Sequence, residues 1–160
     1  MVNFRVGTGL DAHAFAEGIP LRLGGVEIPH PRGLAGHSDG DAAAHAVIDA
    51  LLGAANRGDI GEWFPSSDAR WRGARGTDLL SRVWSSLSGD GWRLENVDLT
   101  LIASEPRLSA HRTAMRQALA AALDCPVERV SLKATTTDGL GAFGRGEGVL
   151  ALASALLSRP

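Results

Sequence analysis

HSDGDAAAH, residues His37–His45, is the stretch that says most about the fold of this chain. Ser38 and Asp41 stand three positions apart, which is the spacing of a capping box that opens a helix. Alanine and leucine dominate the residues that follow, so we predict a helix to about Ala55, ended by a glycine soon after. The stretch therefore predicts a loop that turns into a helix, with His45 one turn inside it.

The segments around this helix alternate between strand and helix patterns. The predicted strands are Phe4–Thr8, the two arms of a hairpin at Leu21–Leu23 and Val26–Ile28, Val97–Ala103 and Val130–Ala134. The predicted helices are Thr77–Gly89, with Thr77 as its cap, and Ser109–Leu123. Gly58–Gly76 has no periodicity and is predicted to be a loop. Val149–Leu157 is apolar enough for a helix or a strand, and we favour a strand.

This order of elements predicts one layered domain. No repeat, linker or low-complexity segment divides the chain, and 160 residues suffice for one core. We therefore expect a single domain over residues 1–160. Its predicted class is α/β, as an α+β two-layer fold in which helices cover one face of a mixed β-sheet, in a ferredoxin-like arrangement.

Composition and charge argue against several classes of function. Hydrophobic residues make up 44% of the chain and the net charge is −2 at pH 7, as in many globular proteins. Lys and Arg form no cluster, so we expect no nucleic-acid partner. No signal peptide is expected, and the longest apolar tract, Gly148–Leu157, is too short to span a bilayer, so we expect no membrane partner. Cys125 is the only cysteine, which suits a reducing, cytoplasmic location.

Asp11, His13 and His45 offer a ligand set suited to Zn²⁺ or another divalent transition metal. Three protein ligands leave one position open, as catalytic sites do. Asp11 and His13 alternate in an extended segment and so can point to the same side. Asp41 and Asp49 share the helix face of His45 and could orient its imidazole. Each motif alone can also be explained by solvated polar residues at a strand end and a helix-surface histidine.

Other polar residues could bind an anion or a hydroxylated substrate. His37 and Ser38 stand where a loop meets a helix N-terminus, a favourable place for phosphate, although Ser38 is equally explained as a cap. The segment Lys133–Asp138 ends a predicted strand with three hydroxyls that could cradle phosphate. Its Asp138 could hold a hard cation such as Mg²⁺. A threonine-rich strand followed by an Asp turn is an equal interpretation of this segment.

Two further segments leave alternatives open. Gly139–Gly148 is not a Walker A loop, because it lacks the G-K-[ST] ending. Its Arg145 and Glu147 could pair with each other or bind an anion. Asp59-Ile60-Gly61 and Asp68 could accept hydrogen bonds from a polyol or could be ordinary turn residues.

Five motifs together resemble the 2-C-methyl-D-erythritol 2,4-cyclodiphosphate synthase family of the non-mevalonate isoprenoid pathway. In chain order they are GLDAH from Gly9, HSDGDAAAH from His37, GDIG from Gly58, KATTTD from Lys133 and GRGEG from Gly144. The resemblance covers nearly the whole chain. It implies metal-dependent cyclisation of 4-diphosphocytidyl-2-C-methyl-D-erythritol 2-phosphate, in which the 2-phosphate attacks the β-phosphorus and CMP leaves.

The resemblance also implies roles for individual residues. Asp11, His13 and His45 would be zinc ligands, His37 and Thr136 would steady the transition state, and Asp138 would hold Mg²⁺ or Mn²⁺ on the diphosphate. The residues implied to contact substrate are Ser38, the lid residues Asp59, Ile60, Gly61, Phe64, Pro65, Ser66, Ser67 and Asp68, the cytidine-pocket residues Ala103, Ser104, Glu105, Pro106, Arg107, Leu108 and Ser109, the diphosphate-site residues Thr135 and Thr137, and Ala142 and Arg145.

The resemblance further implies a homotrimer whose neighbouring subunits share each active site. An isoprenoid diphosphate is implied as a further ligand on the trimer axis, near Arg145 and Glu147, and no fused cytidylyltransferase domain is expected. The chain departs from the family pattern at three positions. Ser66 replaces a common acidic residue, Asp138 replaces a common glutamate, and Ala142 alters a usual apolar position.

Two other functions are compatible with parts of this pattern. A metal-dependent phosphohydrolase would use water as its nucleophile and release a linear product. A trimeric isoprenoid-diphosphate-binding module would bind without turnover and tolerate the loss of His45. Cyclisation is favoured because its phosphate nucleophile is already anionic, and the chain shows no activated serine, cysteine or general base.

Overall fold

A computed structural model describes the whole chain, Met1 to Pro160, with seven strands and five α-helices. The strands are β1 (Asn3–Glu17), β2 (Leu21–Leu23), β3 (Val26–Ile28), β4 (Arg32–Leu34), β5 (Arg93–Ile102), β6 (Val130–Thr135) and β7 (Gly148–Arg159). The α-helices are α1 (Ala42–Ala55), α2 (Ile60–Trp63), α3 (Gly76–Gly89), α4 (Arg112–Ala122) and α5 (Gly141–Gly144). Short 3₁₀ turns lie at Ala69–Trp71, Leu108–His111 and Val127–Arg129.

Five of the strands form one mixed sheet in the order β4-β1-β7-β5-β6. β7 lies at its centre and pairs antiparallel with both β1 and β5, whereas β5 and β6 run parallel. β2 and β3 form the separate hairpin expected around Gly24-Gly25. The mixed sheet with helices is therefore confirmed, and the ferredoxin-like arrangement stays a prediction.

The two faces of the sheet differ in what covers them. Along β1, Gly7 and Gly9 are buried beneath α1, whereas Phe4, Val6 and Leu10 are 59–71% exposed on the other face. β7 repeats this alternation, with buried alanines toward the helices and Leu152 exposed. We call Phe4, Val6, Leu10 and Leu152 the open face of the sheet. Helices thus cover one face only.

α1 lies unusually close to β1 because the contact is built from glycine and alanine. A Cβ atom on Gly9 would lie 2.0 Å from the carbonyl oxygen of Ala46, and one on Gly7 would lie 2.0 Å from that of Ala50. Neither position can therefore carry a side chain unless the helix moves away. This close approach brings the start of α1 next to the middle of β1.

The capping box predicted at Ser38 is wrong. α1 begins at Ala42, and its N-cap is Asp41, whose Oδ1 accepts a hydrogen bond from Ala44 N at 3.1 Å. The same carboxylate accepts from Gly24 N at 2.8 Å and from Gly25 N at 2.7 Å. Asp41 is fully buried, so it satisfies both the helix terminus and the hairpin turn, and the hydroxyl of Ser38 is left for another partner.

Several element boundaries also differ from the prediction. β1 continues through Asp11 and His13 instead of ending in a loop, because β7 pairs with it as far as Ala14. The segment predicted as a loop after α1 contains α2 and a 3₁₀ turn, and β4 was not predicted. Thr77 lies inside α3 and does not cap it, and α4 begins later than expected, after a 3₁₀ turn. The strand favoured for Val149–Leu157 is confirmed as part of β7.

None of the helices combines the length and the apolar character needed to cross a lipid bilayer.

Candidate active site

Asp11, His13 and His45 form a compact cluster, which we call the metal centre. Asp11 and His13 point from β1 toward α1, where His45 occupies the first turn. His13 Nε2 lies 2.8 Å from Asp11 Oδ2, His45 Nδ1 lies 3.0 Å from the same oxygen, and the two nitrogens are 3.4 Å apart. Ligand atoms that bind zinc tetrahedrally at about 2.0–2.1 Å lie roughly 3.3 Å apart, so the cluster has the spacing of a metal site.

The second nitrogen of each histidine has a fixed partner outside the metal centre. His13 Nδ1–H donates to the carbonyl oxygen of Ala35 at 2.5 Å, so Nε2 is the nitrogen that can offer a lone pair to a cation. His45 Nε2 lies 3.0 Å from Ser38 Oγ, so an Nε2–H donated to that hydroxyl leaves Nδ1 free to bind. Two ring nitrogens and a carboxylate oxygen converge on one point; without an ion the nitrogens can donate to Asp11, and with a cation there each would offer it a lone pair.

The electrostatics of the cluster show how strongly these groups interact. Burial by itself would raise the pKa of Asp11, but hydrogen bonds to His13 and His45 outweigh it and hold that pKa well below its usual range. The hydrogen bond to Asp11 raises the pKa of His13 above its ordinary value, against the opposing effect of burial. Asp11 is therefore anionic at neutral pH and supplies the negative charge that a divalent cation needs.

The helix carboxylates do not orient His45 as the sequence suggested. Asp41 caps α1, and Asp49 Oδ1 accepts a hydrogen bond from Ile60 N at 2.8 Å, at the start of α2. Ser38, and not an acidic neighbour, is the side chain that holds the second nitrogen of His45. Asp49 instead ties α2 to α1 beside the metal centre.

A cleft opens above the metal centre, and we call it the first cleft. It is lined by Asp11, His13, His37, Ser38, His45, Ile60, Gly61, Phe64, Ser66, Trp71 and Leu79. His37 Nε2–H donates to the backbone carbonyl of Asp68 at 3.3 Å, which attaches the predicted lid to the loop before α1. The cleft thus joins polar groups around the metal centre to an apolar wall.

The remaining predicted lid residues lie beside the first cleft and not on its wall. Asp59 caps α2 by accepting from Glu62 N at 2.9 Å, and Asp68 pairs with Arg70 at 2.6 Å. Pro65 and Ser67 are exposed. Trp71 and Leu79, which line the cleft, were not predicted as site residues. Phe64 and Trp71 form an aromatic pair with ring centroids 4.9 Å apart. No pattern predicts this pair, because the segment that contains both residues has no periodicity.

A second cleft lies where β5 and β6 end. It is lined by Ala103, Ser104, Pro106, Arg107, Leu108, Ser109, Ala134, Thr135 and Thr136. These include nearly all residues predicted around a cytidine, and the exception is Glu105. Thr137 also turns away, because its Oγ1–H donates to Leu140 O at 2.5 Å.

The other predicted phosphate and metal residues follow β6. Asp138 is exposed, has φ of 52°, and lies with Oδ1 3.4 Å from Thr136 Oγ1, apart from the metal centre. Ala142 lies in α5. Arg145 Nε donates to Glu147 Oε1 at 2.7 Å, so these two exposed residues pair with each other.

The two clefts share no residue although they open at the same end of the sheet. Ala12 of β1 and Ile102 of β5 both pair with Leu150 of β7. One strand, β7, therefore lies between the strand of the first cleft and the strand of the second. The two residues predicted to steady a transition state are divided between them, with His37 in the first cleft and Thr136 in the second.

Comparison with known proteins gives consistent results. A model of the YgbB family matches residues 4–158. The 2-C-methyl-D-erythritol 2,4-cyclodiphosphate synthase of Alcanivorax borkumensis is 54% identical over 98% of each chain. A solved structure of a synthase of that name in its CDP-bound form has a TM-score of 0.87 and 42% identity, and the match covers 96% of this chain and 99% of that one. The bifunctional IspDF from Campylobacter jejuni has a TM-score of 0.95 and 40% identity over all of this chain, which spans 43% of that longer one.

Proposed function

This chain belongs to the YgbB family, and from that premise we infer that it is a metal-dependent cyclase of isoprenoid biosynthesis. It converts 4-diphosphocytidyl-2-C-methyl-D-erythritol 2-phosphate to 2-C-methyl-D-erythritol 2,4-cyclodiphosphate and releases CMP. The observation that carries this assignment is the convergence of Asp11, His13 and His45 at the floor of the first cleft. Relatives that share the fold along nearly their whole length bear the name of this synthase.

The metal centre fits Zn²⁺ or another divalent transition metal, because it presents one carboxylate and two correctly oriented imidazoles. When bound there, such an ion supplies a Lewis acid for the charge of a phosphoryl group. We further propose Mg²⁺ or Mn²⁺ on the diphosphate with Asp138 as its protein ligand. The exposed Asp138 carboxylate beside Thr136 supports this second ion.

No residue of the chain has to act as the nucleophile or to activate one, because the 2-phosphate of the substrate is already an anionic nucleophile. Attack on the β-phosphorus forms one P–O bond and breaks the bond to CMP, which leaves with the electron pair. The first cleft would receive the methylerythritol beneath the lid, and the second cleft would receive the cytidine. His37 and Thr136 would donate hydrogen bonds to phosphoryl oxygens as their charge develops.

We propose that the protein acts as a homotrimer in which each active site combines the first cleft of one subunit with the second cleft of its neighbour. Two observations support this. The clefts share no residue within one chain, and the open face leaves Phe4, Val6 and Leu10 uncovered. Exposed apolar side chains gathered on one sheet face are typical of an interface. Arg145 and Glu147 are the residues we propose near an isoprenoid diphosphate on the axis.

We also propose a cytoplasmic location. Cys125 is free, and a chain without disulfides suits a reducing compartment.

The experiment that tests the assignment identifies the product by mass spectrometry. Purified protein with the CDP-linked 2-phosphate substrate and a divalent metal is expected to give CMP and the cyclic diphosphate. His45→Ala removes one of three ligands and is expected to lower turnover by at least about a hundredfold while the melting temperature stays near that of the parent. Gln117→Ala, an exposed change on α4, serves as the control.

Each alternative gives a different result in the same assay. A linear phosphorylated product would show that water is the nucleophile and that the protein is a phosphohydrolase. Substrate binding without any product, unaffected by His45→Ala, would show a binding module. Full turnover by His45→Ala would show that the metal centre is assigned to the wrong residues.

A further inference from the structure

Arg32, at the start of β4, joins three parts of the chain that are distant in sequence. Its guanidinium Nη2 donates to Glu105 Oε1 at 2.5 Å and to the backbone carbonyl oxygen of Gly146 at 3.2 Å. The guanidinium also lies over the ring of Phe15, 4.7 Å from its centroid. Arg32 therefore fastens the segment that carries the second cleft, and the glycine-rich segment before β7, to β4 and β1.

His30 also packs against the group formed by Phe15, Arg32 and Glu105. Its ring lies 5.0 Å from that of Phe15 by centroids, and its Nδ1–H donates to the carbonyl oxygen of Arg32 at 2.7 Å. Its Nε2 lies 3.8 Å from the Glu105 oxygen that Arg32 holds. The side chain of His30 is only 7% exposed, so the half-exposed carboxylate of Glu105 lies against a packed surface on one side.

Glu105 turns away from the second cleft while its neighbours face it. Ser104, Pro106 and Arg107 line that cleft, and Glu105 is the one residue from Ala103 to Ser109 that does not. A side chain that is held on the outside of a loop limits the backbone angles of the residues on either side. The contact between Arg32 and Glu105 therefore helps to fix the conformation of the neighbouring residues that line the second cleft.

We propose that Arg32 is a positioning residue for nucleotide binding, and that it acts through Glu105 to hold the loop Ala103–Ser109 in the form that receives the nucleoside diphosphate end of the substrate. Glu105 is accordingly a tether and not a substrate contact. This inference rests on the proposed function, because it takes the second cleft as the nucleotide site.

The same short segment also supports the metal centre. Ala35, three residues after Arg32, supplies the carbonyl that holds His13 Nδ1. β4 is fixed to β1 by pairing from Phe15 to Glu17. Loss of the Arg32 side chain leaves this backbone pairing in place, so the metal centre is expected to keep its affinity for zinc while the second cleft loses order.

The test is a calorimetric titration with CDP, followed by steady-state kinetics. Arg32→Met keeps an unbranched apolar stem but removes the guanidinium with its charge and hydrogen bonds, and Glu105→Gln removes the charge of its partner. Both are expected to weaken CDP binding about two- to fivefold and to raise KM more than they lower kcat. Bound zinc and melting temperature should stay close to the parent values.

Two further variants complete the design. The double variant with both changes should bind CDP no more weakly than Arg32→Met alone, because both changes break the same contact. Arg22→Met removes another ion pair, between Arg22 and Glu27 in the hairpin, and should leave CDP binding unchanged. Because the substitutions are separate, misfolding of Arg32→Met would still leave Glu105→Gln to decide the question.

The results distinguish this inference from the proposed function. If the parent protein neither binds CDP nor turns over, the proposed function fails. If the parent binds CDP and Arg32→Met and Glu105→Gln bind it equally well, the inference about Arg32 is wrong while the function stands. A fall in kcat with KM and CDP affinity unchanged, or a loss of zinc, would also overturn it, because it would place the role of Arg32 at the metal centre.

Discussion

At the residue scale, each histidine of the metal centre uses one ring nitrogen toward the centre and the other toward a partner outside it. His13 uses Nδ1 to donate to the carbonyl of Ala35, and His45 uses Nε2 toward the hydroxyl of Ser38. These outer partners set the tautomer and therefore decide which nitrogen is available to a cation. The carbonyl of Ala35 cannot be removed by substitution, whereas the hydroxyl of Ser38 can, so Ser38 is the place to test this arrangement.

Ser38→Ala is expected to weaken zinc binding about 10- to 100-fold, because His45 loses the partner that orients its imidazole. Competition with a chromophoric chelator measures this directly and needs no substrate, so a separate effect of Ser38 on substrate binding does not enter the result. Ser88→Ala removes a surface hydroxyl that bonds only to the carbonyl of Ser85, and it should leave zinc affinity unchanged. Equal zinc affinity in Ser38→Ala and the parent would show that Ser38 does not orient His45.

Residue types alone were enough to predict the metal centre, because a carboxylate and two histidines in suitable motifs already specify a ligand set. The outer partners were not predictable in the same way. Ser38 has a sound local explanation as a cap, and only the position of His45 after folding shows that its hydroxyl has a different partner. Glu105 was assigned to substrate by resemblance, and its bond to Arg32 joins residues 73 positions apart.

At the element scale, the packing of α1 on β1 determines where the metal ligands meet. Gly7 and Gly9 remove the side chains that would otherwise hold the helix at ordinary distance, and small alanines face them from α1. Side chains at these two positions would hold α1 farther from β1 and would separate His45 from Asp11 and His13. The glycines are therefore part of the site although they carry no functional group.

Gly9→Ala is expected to destabilise the protein by about 3 kcal/mol and to lower zinc affinity as well, because its methyl group would overlap the carbonyl of Ala46. Gly53→Ala is the matched control. It lies in α1 itself, its methyl group would meet no atom within 4 Å, and it should stabilise the helix by about 0.5–1 kcal/mol. Chemical denaturation with and without zinc measures both effects. Equal stability of Gly9→Ala and the parent would contradict the close approach of helix and strand.

The elements that the sequence predicted well are those whose pattern is local. The strands β2 and β3 were found from Gly24-Gly25 and their apolar neighbours, and α1 from its alanines. The errors arose where a distant partner decides the structure. Asp41 is the cap because it also accepts hydrogen bonds from Gly24 and Gly25, which lie 17 and 16 residues earlier in the chain. β1 extends past its predicted end because β7, from the far end of the chain, pairs with it.

At the scale of the whole molecule, the chain carries two separate clefts, and the proposed reaction would use both of them together. His37 lines one of them and Thr136 the other, and no residue belongs to both. The open face offers an apolar surface through which copies of the chain can associate. The shared active site proposed above accounts for both features at once.

Mixing two inactive variants tests the shared site. His45→Ala damages only the first cleft and Thr136→Val only the second. In trimers reassembled from equal amounts, about a quarter of the sites combine an intact first cleft with an intact second cleft from a neighbour, so up to about a quarter of the parent activity should return. If each chain formed its own site, mixing would restore nothing. The separate variants supply the background, and light scattering verifies that the mixture is trimeric.

β1 carries the metal ligands on one side and the open face on the other, in strict alternation from Phe4 to His13. An insertion or deletion of a single residue between Gly9 and Asp11 would exchange the sides of one part of the strand relative to the other, so Gly9 and the pair Asp11 and His13 could no longer face α1 together. The metal centre would be lost in one step, although all of its residues would still be present in the sequence. The spacing from Gly9 to His13 is therefore expected to stay fixed among related chains, whereas the turn after β1, at Gly18, is free to gain or lose residues.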